Sequence, residues 1–293
     1  MVVGEKNVKS ILTKTNLPVS DFAVNPYIGC SHACRYCYAS FMKRFTDHRE
    51  PWGEFVDIKN WPAINKPGAF EEKEAFLSSV TDPYQPLEKK YKRTRAVLEQ
   101  LQDTGISISI STKSDLVLRD LDLIRTFPRA HVSWSVNTLD ESFRGEMDRA
   151  VSIERRLEAM RIFYEAGIET TCFISPIFPG ITDVKAIIER VTGQCNMVWL
   201  ENLNLRGDYK KKILDWIREH RPDLDGLYRE IYTRKDRAFW TALDREIRDY
   251  AEAKGMLYTR DDSLHRAPFG EPPVISCYFY HEELTKTARK GKS

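Results

Sequence analysis

What the chain lacks narrows it first. No apolar run approaches the roughly 20 residues that a membrane-crossing helix needs, and the opening residues hold no apolar signal-peptide core. Charge of one sign is not in excess. The 45 Lys and Arg against 43 Asp and Glu leave a formal net charge of +2, too little by itself to argue for a nucleic-acid surface. Internal repeats are absent, and low complexity is confined to the basic tail at 285–293, which reads as a frayed end. Cysteine is scarce, at six in 293 residues, and so many residues can bury a full core without a disulfide framework. The expectation is a reduced, cytoplasmic protein with no membrane association, built as one large domain or a domain with an appendage.

Three of the six cysteines stand within eight residues, Cys30-Ser-His-Ala-Cys34-Arg-Tyr-Cys37. Each iron of a four-iron, four-sulfur cube takes one cysteine, so three thiolates leave one iron without a protein ligand. An open coordination position is what separates a reactive metal centre from a structural one. A structural zinc site remains an alternative, but it normally closes with a fourth nearby ligand and two C-x2-C knuckles. Here Cys172, Cys195 and Cys277 are isolated, and His32 lies between two of the cysteines, awkward for tetrahedral closure. Bacterial ferredoxin spacing would need a fourth cysteine and a proline soon after the third.

The rest of the chain alternates strand and helix. Apolar or β-branched runs predict strands at 22–28, 75–80, 106–110, 131–136, 169–174 and 197–200, with a further short one at 55–59. Between them, Leu87, Tyr91, Thr94, Leu98 and Leu101 fall on one helical face with Gly105 as the stop, and 116–127 is helical. Ser152 caps a helix that Gly167 ends, and 182–192 forms another. Such alternation implies a parallel sheet with right-handed crossovers. The fold class expected is α/β, a partial (β/α)6 TIM-like barrel, with ligands at the C-terminal ends of its strands. The division expected is a lead at 1–21, the core barrel at 22–206 and a mostly helical extension with a closing segment at 207–293. In that extension 209–220 and 234–254 are amphipathic and read as a layer covering the sheet. The strand ends carry the cysteine loop, Thr81-Asp82, Thr112-Lys113-Ser114, Ser135-Val136-Asn137 and Pro176.

The cysteine spacing, with an aromatic just before the last cysteine, resembles that of radical S-adenosylmethionine (radical SAM) enzymes. The stretch Asn25-Pro-Tyr-Ile-Gly-Cys-Ser-His-Ala-Cys-Arg-Tyr-Cys-Tyr38 is similar to the start of their spore photoproduct lyase-like branch. Thr81-Asp-Pro-Tyr-Gln-Pro-Leu-Glu88, Ser111-Thr-Lys-Ser114, Arg119-Asp120 and Pro176-Ile-Phe-Pro-Gly180 match further markers in order, across about 22–206. The chain also resembles the small proteins called radical SAM mobile pair protein B.

The resemblance implies a [4Fe-4S] cluster on Cys30, Cys34 and Cys37 and S-adenosyl-L-methionine on its open iron. One-electron reduction would then yield a 5′-deoxyadenosyl radical that abstracts hydrogen from a substrate. By motif position Thr81, followed by Asp82, meets the methionine moiety, while Lys113 and Ser135 lie near the carboxylate and ribose. Tyr36 lends its backbone to the adenine, Pro176 belongs to the same cofactor set, and His32 supports rather than ligates. The resemblance further implies a one-electron donor of flavodoxin or ferredoxin type, a nucleic-acid or peptide substrate, and a protein partner encoded nearby.

One departure stands out. The repair lyase carries a hydrogen-returning cysteine two residues before the SAM-contacting hydroxyl, where this chain has Ser79. A thymine-lesion repair reaction is therefore in question, and Cys277, beside Tyr278, is a candidate replacement donor if its segment folds over the mouth, the alternative being an ordinary buried cysteine in a closing strand. The basic, aromatic stretch 260–281 is a candidate contact for phosphates and bases. A third reading, a non-catalytic iron–sulfur redox or regulatory protein, has no need of Thr81, Asp82 and Lys113.

Overall fold

The computed structural model describes residues 1–17, 20–64, 68–260 and 273–279. Twelve strands follow one another along the chain: β1 (Val2–Asn7), β2 (Leu12–Lys14), β3 (Phe22–Val24), β4 (Tyr27–Ile28), β5 (Phe55–Asn60), β6 (Glu74–Leu77), β7 (Ser107–Thr112), β8 (Ala130–Ser135), β9 (Glu169–Ile177), β10 (Met197–Asn202), β11 (Tyr258–Thr259) and β12 (Val274–Tyr278). They form a main sheet ordered β11-β12-β10-β9-β8-β7-β6-β3-β2 and a small one ordered β1-β5-β4.

The six expected core strands, β3, β6, β7, β8, β9 and β10, lie side by side in chain order and pair in parallel. When strand order follows chain order, every right-handed crossover falls on the same side of the sheet. All the connecting helices therefore cover one face. That face is apolar: Leu77, Ile110, Trp134, Cys172, Ile174 and Leu200 belong to one buried cluster with Leu157, Met160, Phe163 and Ile188 of the helices. The other face carries the alternate residues. In register across neighbouring strands these are Ser109 with His131, then Ser111, Ser133 and Thr171, then Ser135, Phe173 and Trp199. Parallel strands covered on both faces usually read as unbroken apolar runs; here the inner face is a layer of hydroxyls. His131 joins Ser109 to Thr171 at 3.0 and 2.8 Å, and Ser111 bonds Ser133 at 2.6 Å.

Several expectations shift. The strand expected at 22–28 is two, because the chain leaves the main sheet after Val24 and Tyr27–Ile28 pairs with β5 in the small sheet. The helix expected through Leu87 to Leu101 breaks at Lys92, which takes a left-handed φ of 50°. The break follows from Glu88, fully buried, whose carboxylate accepts from Thr94 N at 2.9 Å and caps the second half. The segment expected to be helical at 116–127 is a 3-10 turn, Leu116–Asp120, followed by a short helix, Leu121–Ile124. Pro176 lies inside β9, which runs on to Ile177, rather than after it. Helices Gly207–His220, Asp225–Tyr232 and Ala238–Ala253 lead back to β11 and β12, and β12 pairs in parallel with β10. Among the described residues no helix is long and apolar enough to cross a membrane.

Candidate active site

The cysteine loop leaves β4 at Gly29, whose φ is 89° and where a Cβ would come within 2.4 Å of the Phe55 carbonyl oxygen. Only glycine makes that turn while keeping β4 against β5. The loop is then tied down on three sides. The Gly29 carbonyl accepts from Thr81 Oγ1 at 2.6 Å, and Gln85 Oε1 accepts from both Ser31 N and Ser31 Oγ. From the other direction, Arg149 N donates to the His32 carbonyl at 2.7 Å and Arg35 N to the Met147 carbonyl at 2.9 Å. Segments following β6 and β8 thus hold the backbone that presents Cys30, Cys34 and Cys37.

Cys30 is buried, and Cys34 and Cys37 are partly buried. Burial pushes the Cys30 thiol up to about 12, with the Asp82 carboxylate adding to the effect. Burial also raises Cys34 and Cys37, against the opposing pull of Lys113 on both. Such thiols ionise on binding iron, which stabilises the thiolate directly. Among the described residues no three His, Cys, Asp or Glu side chains converge to hold a single ion. A cube asks less of them, because each thiolate serves a different iron.

Around the loop stand most of the residues singled out from the sequence. Asp82 is buried, and both its oxygens are taken. Oδ1 accepts from Thr112 Oγ1 at 2.7 Å and from Tyr84 N at 2.9 Å, and Oδ2 accepts from Lys113 N at 2.7 Å and lies 3.2 Å from His32 Nε2. Burial pushes this carboxyl up, but the His32 ring and the bonds from Lys113 and Thr112 outweigh it and hold it below the usual range. Asp82 therefore fixes where Lys113 leaves β7. The Lys113 ammonium sits 5.8 Å from the centroid of the Tyr36 ring and has no carboxylate or hydrogen-bond acceptor of its own among the described residues.

Tyr36 is held in turn by a buried chain that the sequence did not reveal. Its hydroxyl donates to Asp148 Oδ2 at 3.2 Å, Asp148 pairs with Arg156 at 2.8 Å, and Arg156 Nη1 reaches the Ser135 carbonyl at 3.1 Å. The chain joins the third cysteine's neighbour to the end of β8. Two residues further, Asn137 is 1% exposed, and neither polar atom of its side chain has a partner among the described residues. A buried amide without partners is costly unless something arrives to bond it.

Ser79 is held by Asn25, whose Nδ2 donates to its hydroxyl at 2.8 Å, and the Tyr38 hydroxyl donates to the Ser79 carbonyl. Ser175, next to Pro176, donates to Glu201 on β10. Burial raises the Glu201 carboxyl, with the Ser175 bond and Lys113 opposing. Glu201 was also missed, although a carboxylate directly after the apolar run Met197–Leu200 marks the mouth end of a core strand.

Cys277 is placed elsewhere. It pairs in register with Leu200 and packs in the sheet–helix cluster on the face away from the hydroxyl layer. In this arrangement Cys277 is a buried residue of a strand that closes on β10. The backbone of Tyr278 occupies the register position beside Glu201, and its side chain lies outside the described residues, as do residues 261–272 and 280–281 of the stretch 260–281. Cys172 and Cys195 are buried on the helix side and at the turn before β10.

Comparison with known proteins agrees with this layout. The family model of the radical SAM superfamily matches residues 24–191. An uncharacterized protein of Methanocaldococcus jannaschii is 37% identical over 206 residues, 70% of this chain and 78% of that protein. A radical SAM Nalpha-GlyT isomerase of Pseudomonas phage M6 is 24% identical over 182 residues, covering 58% of this chain and 37% of that one. Among solved structures, spore photoproduct lyase complexed with dinucleoside spore photoproduct superposes with a TM-score of 0.56 at 16% identity, over 76% of this chain and 68% of the other. That likeness is one of fold. With the three-cysteine loop inside a family match that spans more than half of its length, the chain belongs to the radical SAM superfamily.

Proposed function

We propose that the protein is an enzyme of the spore photoproduct lyase-like branch that cleaves SAM reductively and uses the resulting radical on an organic substrate seated against the inner face of the sheet. When bound, the [4Fe-4S] cluster and SAM supply one electron and a 5′-deoxyadenosyl radical that removes a hydrogen atom from the substrate. Cys30, Cys34 and Cys37 would hold the cluster. Lys113, whose ammonium stands free beside Cys34, Cys37 and Tyr36, would take the SAM carboxylate as a point charge. The unpartnered amide of Asn137 and the hydroxyl of Ser135 would meet the remaining polar groups, and the Tyr36 backbone the adenine. Thr81 and Asp82 orient the loop and Lys113 through the bonds described. Cytoplasmic placement and an external one-electron donor follow from such chemistry.

The observation that carries this reading is the Lys113 ammonium beside the cysteine loop, with no hydrogen bond or ion pair among the described residues. A pure electron carrier has no need of a lysine held there. Thymine-lesion repair is the weaker reading, because Ser79 has a strong O–H bond and its oxygen already accepts from Asn25. Anaerobic reconstitution with iron and sulfide, followed by dithionite and SAM, tests the proposal. The expected result is 5′-deoxyadenosine from the parent and none from Cys30→Ala, Cys34→Ala or Cys37→Ala. Equal product from parent and Cys30→Ala, or none from a fully loaded parent, would sink it.

A further inference from the structure

Immediately after the third cysteine the chain forms a 3-10 helix, Tyr38–Phe45, for which Cys37 is the N-terminal flanking residue. Its outer side is unusual for a surface. Phe41 is 44% and Phe45 61% exposed, and the Arg44 guanidinium stands over both rings, 5.4 and 4.6 Å from their centroids. Exposed phenylalanines grouped in this way mark contact surfaces. The charge around them leans to one sign: Arg35, Lys43, Arg44 and Arg49 against Asp47 and the His48-paired Glu50, and none of the four cations has a carboxylate partner among the described residues. Elsewhere the arginines of exposed helices are commonly paired, Arg155 with Asp115, Arg161 with Glu158 and Glu165, and Arg221 with Asp223. Lys43 Nζ donates to the Arg49 carbonyl at 3.1 Å, which folds the following loop back toward the helix.

We infer that this helix and the loop to Arg49 are the docking surface for an acidic one-electron donor protein of the flavodoxin or ferredoxin type; the inference rests on the radical SAM reading above. Three observations select this occupant. The surface is continuous with Cys37, and at about 2 Å of rise per residue Arg44 stands on the order of 14 Å along the chain from that cysteine. Its unpaired cations fit an acidic partner and would steer its approach. Arg44 stands over one face of each of Phe41 and Phe45, which crowds base stacking there while the exposed remainder of both rings offers apolar contact to a protein. In the encounter the donor's own reduced centre would lose one electron, and the cluster held by Cys30, Cys34 and Cys37 would gain it; no other group is exchanged.

The test uses the full chain and a bacterial flavodoxin carrying a fluorescent label. The parent should bind with an affinity that falls steeply as salt rises, and Arg44→Glu/Arg49→Glu should weaken binding about tenfold. Phe41→Ala/Phe45→Ala should weaken it without changing the salt dependence. Dithionite-driven 5′-deoxyadenosine formation should be the same in parent and charge-reversal variant, whereas flavodoxin-driven formation should fall. Undiminished flavodoxin binding by both variants overturns the inference. So does loss of short single-stranded DNA binding in Arg44→Glu/Arg49→Glu with flavodoxin binding intact, which would assign the surface to nucleic acid. The binding measurement needs no turnover, so failure of the dithionite assay in the parent would count against the enzyme reading and leave the docking result to be judged separately.

Discussion

Arg156 and Asp148 are both fully buried, and between them they connect Tyr36 to the end of β8. Removing one partner of such a pair leaves a charge with no water to solvate it, at a cost of about 3–5 kcal/mol. Arg156→Met should lose stability on that scale in urea unfolding, and Arg156→Met/Asp148→Leu should recover much of it. A double variant no better than the single would show that the pair acts through shape and not charge. Lys113 makes a different prediction, because among the described residues its ammonium makes no hydrogen bond or ion pair and meets only the Tyr36 ring. Lys113→Ala should leave the unfolding midpoint almost unchanged yet weaken SAM binding. A charge-assisted bond of about 1.5–3 kcal/mol corresponds to a factor of roughly 10 to 150 in affinity. Equilibrium dialysis of cluster-loaded protein without reductant measures it, and Lys113→Arg should keep part of the affinity.

The small sheet β1-β5-β4 is the element that aims the cysteine loop, and Gly29 is its last residue before the first thiol. Gly29→Ala places a methyl group against the Phe55 carbonyl and should lower both the melting temperature and the iron bound per chain after reconstitution. On the same sheet His48 stacks on Phe55 and bridges Glu50 at 3.3 Å and Asp57 at 3.0 Å. Burial lowers its pKa, but the bonds and charges of Asp57 and Glu50 win and raise it above the ordinary 6.5. The folded protein therefore holds this proton more tightly than the unfolded chain. Its contribution is complete below about 6.5 and is lost as pH rises through the folded value. Melting of the cluster-free protein should fall between mildly acidic and mildly alkaline pH, and His48→Gln should flatten that slope.

How much of these elements the sequence discloses depends on where their stabilisation originates. The core strands announce themselves because a buried parallel strand must be apolar on its helix side, as Ile108, Ile110, Val132 and Trp134 are. Strand β1, Val-Val-Gly-Glu-Lys-Asn, is exposed at five of its six positions and owes its shape to pairing with β5, so no periodicity marks it. The break at Lys92 depends on a distant burial: Glu88 caps a helix only because Arg119 and Tyr27 neutralise it there. The cysteines were legible as a cluster of donors. The Asp148–Arg156 chain was not, since its members are an ordinary aspartate and an ordinary helical arginine until the fold removes their water.

At the scale of the whole molecule, the C-terminal strand β12 lies between β10 and β11 and so continues the parallel sheet beyond the six core strands. Ile275 on it is fully buried and Cys277 nearly so. A chain ending at Arg260 would uncover the edge of β10 and forfeit about 2–3 kcal/mol for Ile275 alone. It should melt earlier than the full chain and aggregate through the bared edge, as light scattering during heating would show. The order of layers also bears on self-preservation. A carbon-centred radical attacks S–H bonds readily and O–H bonds of simple alcohols poorly. In this molecule the hydroxyls of Ser109, Ser111, Ser133 and Ser135 line the side where such a species would be released, while Cys172 and Cys277 pack among the helices behind the strands. The backbone of the sheet is then a firewall: it keeps Cys172 and Cys277, two thiols outside the cysteine loop, behind the strands and away from the hydroxyl-bearing face.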